Sequence, residues 1–230
     1  MNNFMLKVLA CILMLIDHIG AVFFPKLLIL RVIGRLSFPI FSFLLVEGYV
    51  KTSNFTKYAS RLFLFALISQ YPFKLAFRIN SYNIFFTLLA GLMAMYILDY
   101  KFYDNLKKNV LMKAILIFGI CILVEQIHTD YSFYGVLMIL AFKCFREKSF
   151  YKLVGALVLL NIIYILPNLK YLYYPAGAIN LRVFLQSTSL LALVLIYFYN
   201  GERGKKLKYL FYAFYPVHLT ILYIIKKYML

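Results

Sequence analysis

The feature that most constrains this chain is a series of nine apolar runs, each close to the length of a membrane-spanning helix. Such a helix needs about 20 apolar residues. The runs lie at 4–24, 32–50, 59–77, 82–99, 110–128, 131–145, 150–167, 180–199 and 208–226. Because the loops between them are short, they leave no room for a separate soluble domain. The pattern predicts an all-α fold: a multi-pass transmembrane helical bundle of about nine helices that forms one domain over residues 1–230.

The composition excludes the common classes of soluble protein. Hydrophobic residues make up 64% of the 230 residues and charged residues 14%, whereas ordinary globular chains have roughly 45–50% and about 25%. A soluble chain of this size cannot hide so much apolar surface. The three cysteines are scattered and form neither a metal motif nor a disulfide framework, so no metal site is expected.

The charge balance indicates how the bundle lies in the membrane. The chain has 25 Lys and Arg against 8 Asp and Glu, a net charge of +17. Loops rich in Lys and Arg follow the second, fourth, sixth and eighth runs, as the positive-inside rule requires of cytoplasmic loops. We therefore expect a cytoplasmic N-terminus and an external C-terminus. We also expect the cell (cytoplasmic) membrane as the location, membrane lipids as partners and no binding of nucleic acid.

Two ionisable residues, Asp17 and His18, lie well inside the first apolar run. An ionisable residue near the centre of a bilayer costs about 2.5–3.5 kcal/mol, so it marks a functional site or finds a partner. Neighbouring residues on a helix point about 100° apart, so Asp17 cannot simply orient His18. Each needs a partner on another helix. For Asp17 the structural alternative is an ion pair with Arg31 or Arg35, and for His18 it is a hydrogen bond between helices.

The second run carries further charges. Arg31 and Arg35 are four residues apart, so one helical face can present both. The alternative for Arg31 is an interfacial anchor. Glu47 lies near the inner end of the run. It is a candidate pocket residue, or it merely pairs with Lys51 or Arg61.

The last run places His218 near the middle of the membrane, where Pro216 is expected to kink the helix. His218 is a candidate catalytic residue or a packed, hydrogen-bonded histidine. Polar groups gather on the predicted outer side of the bundle, as they would around a pore or an outward-facing reaction chamber. The further pocket candidates on the whole chain are Arg31, Glu47, Asn83, Arg182 and Tyr215.

Short motifs at both ends of the chain are more specific. Near the N-terminus they are Asp17-His18-x-Gly20, Arg31-x-x-Gly34-Arg35-Leu36-Ser37-Phe38-Pro39 and Glu47-Gly48-Tyr49. Near the C-terminus they are Tyr199-Asn200-Gly201-x-x-Gly204 and Phe214-Tyr215-Pro216-x-His218-Leu219. In combination these motifs resemble the TraX family, the family of the F-pilin acetylase. The middle of the chain, about 100–180, resembles that family only loosely.

The resemblance implies an integral-membrane acyltransferase. Its co-substrate would be acetyl-CoA or another acyl-CoA, and its acceptor an exported peptide N-terminal amine, as in pilin acetylation, or a glycan hydroxyl. Among the matching positions, chemistry favours four as catalytic. They are Asp17, His18, Arg35 and His218.

The residue types suit acyl transfer. A histidine can deprotonate the acceptor, and the oxyanion needs a donor, which Arg35, a backbone N–H or a tyrosine hydroxyl can supply. No nucleophile elbow is present, so direct transfer is favoured over an acyl-serine intermediate. Basic residues of the predicted cytoplasmic loops are candidates for binding the phosphates of CoA, although the positive-inside rule alone also explains them. They are Lys51, Arg61, Arg203, Lys205 and Lys206.

Two other classes of function remain open on the sequence. A small transporter or flippase would also carry intramembrane charges and helix-kinking prolines. A non-catalytic membrane assembly or immunity protein would need no site at all. Convergence of the candidate residues on one cavity would favour the enzyme, and a continuous polar path across both faces would favour transport.

Overall fold

The computed structural model describes residues 1–146, 149–172, 180–205 and 207–229, and it is helical throughout. These ranges contain no β-strand, only an isolated bridge between Tyr82 and Thr129. The α-helices are α1 Asn3–Val22, α2 Leu28–Gly34, α3 Ser37–Val50, α4 Phe55–Phe77, α5 Ile84–Asp99, α6 Leu106–Gln126, α7 Ser132–Phe145, α8 Phe150–Ile165, α9 Ala192–Tyr197 and α10 Lys208–Met229. Two 3₁₀ segments, Leu166–Tyr171 and Leu181–Leu191, extend α8 and precede α9.

The predicted fold class is confirmed, because each predicted run corresponds to a helical segment. Within the described ranges, five stretches are long and apolar enough to cross a membrane: Asn3–Val22, Leu28–Val50, Leu106–Gln126, Phe150–Tyr171 and Tyr209–Tyr228. Helix α6 exposes large apolar side chains, which is typical of a helix that contacts lipid. Its side chains Leu106 and Phe118 are 74% and 67% exposed, which a water-soluble surface does not tolerate over a whole helix.

The second predicted run is not one continuous helix. It divides into α2 and α3, with a turn at Arg35 and Leu36. Pro39 explains the break, because its ring would clash with the carbonyl of Arg35, four residues earlier, in an unbroken helix. Pro216, by contrast, lies inside the continuous helix α10.

The eighth predicted run also differs from expectation. Most of it is the 3₁₀ segment Leu181–Leu191, and only its end is α-helical. Elsewhere asparagine caps fix where helices begin. The side chains of Asn2, Asn54, Asn83 and Asn105 each accept a hydrogen bond from a backbone N–H of the first turn of α1, α4, α5 and α6. Helices α4 and α6 therefore begin about four residues before the apolar runs that predicted them.

Helices α1 and α2 pack in close contact, and two glycines of the recognised motifs make this possible. A β-carbon at Gly20 would lie 2.7 Å from Cβ of Leu30, and one at Gly34 would overlap Asp17. Only glycine fits at such an approach. The contact holds α2 against the part of α1 that carries Asp17 and His18.

One end of the bundle, which we call the basic end, gathers the loops predicted to be cytoplasmic. The backbone N–H of Asn3 donates to the carbonyl of Glu202 at 2.8 Å, and Lys51 Nζ donates to the carbonyl of Gly201 at 3.2 Å. Lys143 Nζ pairs with Asp99 at 2.9 Å. The predicted sorting of loops between two ends agrees with these contacts. The side of the membrane that each end faces stays a prediction.

Candidate active site

Asp17 is held by two arginines from the α2 segment. Arg31 Nη1 donates to Asp17 Oδ2 at 2.7 Å and to the Asp17 carbonyl at 3.0 Å. Arg35 Nη2 donates to Asp17 Oδ2 at 3.1 Å, and its Nη1 donates to the hydroxyl of Tyr131 at 3.1 Å. The ion pair that the sequence offered as a structural alternative for Asp17 thus exists, and it involves both arginines.

His18 has its partner on the last helix. Its Nδ1 lies 2.7 Å from Nε2 of His218, and the two rings stack with centroids 5.0 Å apart. Both side chains are buried. The two histidines, 200 positions apart in the chain, therefore form one unit, as the requirement for a partner on another helix predicts.

The hydrogen bonds determine which nitrogens carry protons in the neutral pair. His218 Nδ1 donates to the carbonyl of Phe214 at 2.7 Å, because a carbonyl can only accept. His218 Nε2 is then an acceptor, so His18 Nδ1 must be the donor. This leaves a lone pair on His18 Nε2, the arrangement that a general base requires.

A small cavity of about 130 Å³ lies beside these groups at the end of the bundle opposite the basic end. It is lined by both polar and apolar side chains. The polar lining residues are Asp17, His18, Arg31, Arg35, Ser37, Asp130, Tyr131 and Tyr215, and the apolar ones include Phe38, Phe41, Phe73 and Phe77.

The loop between α6 and α7 contributes two cavity residues, Asp130 and Tyr131, that are not among the residues predicted from the sequence. The loop is strained, since His128 and Tyr131 have φ of 53° and 67°, values that non-glycine residues seldom adopt. Tyr131 stacks on Phe38 with ring centroids 3.9 Å apart. Burial raises the pKa of the Asp130 carboxyl to about 6, and the positive charge of Arg35 opposes that rise.

A second, larger cavity of about 530 Å³ opens toward the basic end. Five cationic side chains line it, and Glu47 is the one acidic residue among its described lining residues. The cations are Lys7, Lys51, Lys57, Arg61 and Arg203. Arg61 Nε is buried there without a hydrogen-bond partner among the described residues. A polyanion is the ligand that such a lining favours.

Glu47 and Lys51 belong to a tight cluster at the rim of this larger cavity. Glu47 accepts hydrogen bonds from Arg146 Nε at 2.7 Å, Lys51 Nζ at 2.9 Å and the Tyr199 hydroxyl at 3.2 Å. Lys51 also donates to Tyr199 and to the carbonyl of Gly201, and its bond with Glu47 raises its pKa. Since all three ammonium hydrogens are engaged, Lys51 fastens loops here. Lys51 and Arg61 were the two partners expected for Glu47. Among the described contacts, Glu47 pairs with Lys51 and not with Arg61.

The two cavities are neighbours. Four side chains line both of them and form the wall between the smaller cavity and the larger one. They are Met14, Phe41, Ile84 and Tyr215.

Four of the predicted site residues line neither cavity. One is His218, which reaches the smaller cavity only through its hydrogen bond to His18. Asn83 is fully buried, where it donates to the carbonyl of Ala66 at 2.7 Å and caps α5. Arg182 donates to the carbonyl of Pro25 at 2.8 Å, and Lys205 is exposed to solvent. Lys206 lies outside the described residues.

Comparisons with known proteins agree on one family. A family model described as TraX protein matches residues 3–226. The probable fimbrial assembly protein FimC of Dichelobacter nodosus is 30% identical over 96% of this chain and 94% of its own length. An uncharacterized protein of Rickettsia prowazekii is 30% identical over 65% of this chain and 58% of its own length. No solved structure matches the chain significantly.

Proposed function

Because the chain belongs to the TraX family, we propose that it is a membrane-embedded acyltransferase. It moves an acyl group, acetyl in the simplest case, from acyl-CoA to an exported acceptor. A peptide N-terminal amine and a glycan hydroxyl both have the required chemistry. The name of the FimC relative, a probable fimbrial assembly protein, favours an acceptor from the pilus.

The observation that carries this proposal is the wall shared by the two cavities. Phosphates suit the larger cavity, where Lys7, Lys57, Arg61 and Arg203 offer positive charge and the buried Arg61 Nε offers an unused donor. The long, narrow pantetheine arm of CoA would pass the wall. The thioester would then stand beside His18 in the smaller cavity.

The residues of the smaller cavity can perform the transfer directly. His18 Nε2 accepts the proton of the acceptor amine or hydroxyl as it attacks the thioester carbon. His218 orients the ring of His18 and shares the positive charge that arises. Arg31 and Arg35, fixed by Asp17, keep the cavity electropositive where negative charge develops.

The proposed orientation makes this reaction a relay across the membrane. With the basic end in the cytoplasm, the donor enters from the side where acyl-CoA is made. The acceptor meets the smaller cavity in the outer half of the bilayer. A cell could then modify an exported peptide or glycan without exporting CoA.

Mass spectrometry of envelope peptides and glycans tests the activity. Cells with the wild-type protein should carry an added acyl mass on a peptide N-terminus or a glycan, and cells with His18→Ala should lack it. The matched control is His128→Asn, at an exposed left-handed position that asparagine tolerates, and it should keep the modification. If the wild type adds no acyl mass, the transporter or the non-catalytic assembly protein becomes the better account.

A further inference from the structure

Tyr215 occupies the boundary between the two cavities and lines both. It is 2% exposed, and its hydroxyl makes no standard hydrogen bond with any described residue. A buried hydroxyl without a partner costs about 1–3 kcal/mol. An unpaired hydroxyl at this position therefore indicates a group that a ligand satisfies.

The position of the ring is well defined. Tyr215 meets Phe85 edge to face, with centroids 5.3 Å apart and planes at 86°. Its ring centroid lies 5.9 Å from that of His18 and 5.5 Å from that of His218. His218 is three residues further along α10, so the same face of the helix carries the hydroxyl and the partner of the base.

The start of α5 adds a second donor near the same point. Ile84, the first residue of α5, lines both cavities together with Tyr215, so its backbone N–H is a further donor at this boundary. Asn83 caps the next backbone N–H, that of Phe85, at 3.0 Å.

Building on the proposed function, we propose that Tyr215 is a catalytic residue whose hydroxyl donates a hydrogen bond to the thioester carbonyl oxygen as it becomes an oxyanion. Arg35 is less suited to this role, because its Nη atoms are bonded to Asp17 and Tyr131, which leaves only its Nε without a described partner, and because it lines only the smaller cavity. Tyr215 stands where a thioester arriving from the larger cavity meets the base.

The step balances without any additional reactant. The acceptor forms a bond to the carbonyl carbon and gives its proton to His18 Nε2, while the carbonyl π electrons move to the oxygen that Tyr215 holds. When the carbonyl re-forms, the C–S bond breaks and the CoA sulfur leaves, taking the proton from His18. Tyr215 keeps its own proton throughout.

Tyr215→Phe removes only the hydroxyl, and Tyr223→Phe is the matched control on the same helix, outside both cavities. Both variants and the wild type, purified as full chains, are assayed with acetyl-CoA and a short peptide that has an unblocked α-amine. We expect Tyr215→Phe to lower kcat roughly 10²-fold, as loss of one oxyanion donor does, with KM for acetyl-CoA nearly unchanged. Tyr223→Phe should behave as the wild type.

Infrared spectroscopy of bound acetyl-CoA, labelled with ¹³C at the carbonyl, measures the hydrogen bond itself. The carbonyl band should shift to lower wavenumber in the wild type and return toward its free position in Tyr215→Phe. An unshifted band in the wild type, or an unimpaired Tyr215→Phe, overturns the role of Tyr215 while the acyltransferase stands. The wild-type band decides the matter even where the variant fails to fold. Absence of acetyl-CoA binding to the wild type overturns the proposed function as well.

Discussion

Asp17 and Glu47 are two buried carboxylates held in the same way at opposite ends of the bundle. Each is paired with two cations: Asp17 with Arg31 and Arg35, and Glu47 with Lys51 and Arg146. Their side chains are 9% and 4% exposed. By burial and by pairing alone the two clusters are equivalent.

Their neighbours differ. Lys51 is half exposed and donates its other hydrogen bonds to the Tyr199 hydroxyl and the Gly201 carbonyl. The Glu47 cluster therefore holds loops together. The Asp17 cluster instead borders a cavity beside the pair of His18 and His218. A buried ion pair is weak support for function by itself, and what distinguishes a site is an adjacent group left free to react.

The largest expected effect follows from removing that free group. His18→Asn should lower kcat about 10²–10⁴-fold, the usual contribution of a general base, because the lone pair on Nε2 is lost. Its melting temperature in detergent should stay near that of the wild type. His128→Asn, at an exposed left-handed position that asparagine tolerates, is the control. A His18→Asn enzyme with wild-type kcat would contradict the assignment.

The second prediction separates the two carboxylates by stability. Asp17→Asn should destabilise the protein by about 3–5 kcal/mol, because it removes the carboxylate that pairs directly with two largely buried arginines. Glu47→Gln should cost less, about 1–3 kcal/mol, since Lys51 reaches solvent. Thermal unfolding of both variants in the same detergent measures the difference. Equal losses would remove the distinction between the two ends.

A change in the larger cavity should act on binding rather than on the chemical step. Arg61→Gln is expected to raise KM for acetyl-CoA by about tenfold or more, the value of one hydrogen bond to a charged group, with kcat nearly constant. Lys107→Gln, an exposed cation at the basic end, serves as control. The prediction fails if Arg61→Gln lowers kcat and leaves KM unchanged.

The smallest expected effect concerns pH. Asp130 titrates at about 6 in the fold and near 3.9 in the unfolded chain. The folded protein therefore binds more protons between these values, and its stability falls as pH rises from about 4 to 6. Arg31, Arg35 and Asp17 are the charges that face Asp130.

The variant Asp130→Asn lacks this titration. Its melting temperature relative to the wild type should therefore rise over that pH range, by at least about 2–4 °C, the effect of roughly 1 kcal/mol in a chain of this size. Thermal scans at several pH values give the result. A constant offset between the two proteins would show that Asp130 is not protonated in the fold.

Much of the fold was predictable because membrane spans are encoded locally, in length and hydropathy. The need of Asp17 and His18 for partners was also predictable, since the bilayer offers none. The break at Arg35 and Leu36 had a local signal in Pro39, four residues after the carbonyl with which its ring would clash. The 3₁₀ geometry of Leu181–Leu191 had no local signal that hydropathy can register.

The parts of the site that could not be predicted from the sequence depend on contacts between distant segments. Nothing near His18 in the chain specifies His218 as its partner. Tyr131 and Asp130 enter the smaller cavity only because a strained loop turns them inward, and Lys7 joins the larger cavity from the first turns of α1. Such placements follow from helix packing, which the pattern of one sequence does not specify.

The central claim is that acyl-CoA binds at the basic end and the acyl group leaves from the opposite end. Vesicles with the protein in one orientation, supplied with labelled acetyl-CoA on one face and an α-amine peptide on the other, test it most directly. We expect transfer when acetyl-CoA meets the basic end and the peptide meets the opposite face. Transfer only when both substrates are on the basic face would contradict it.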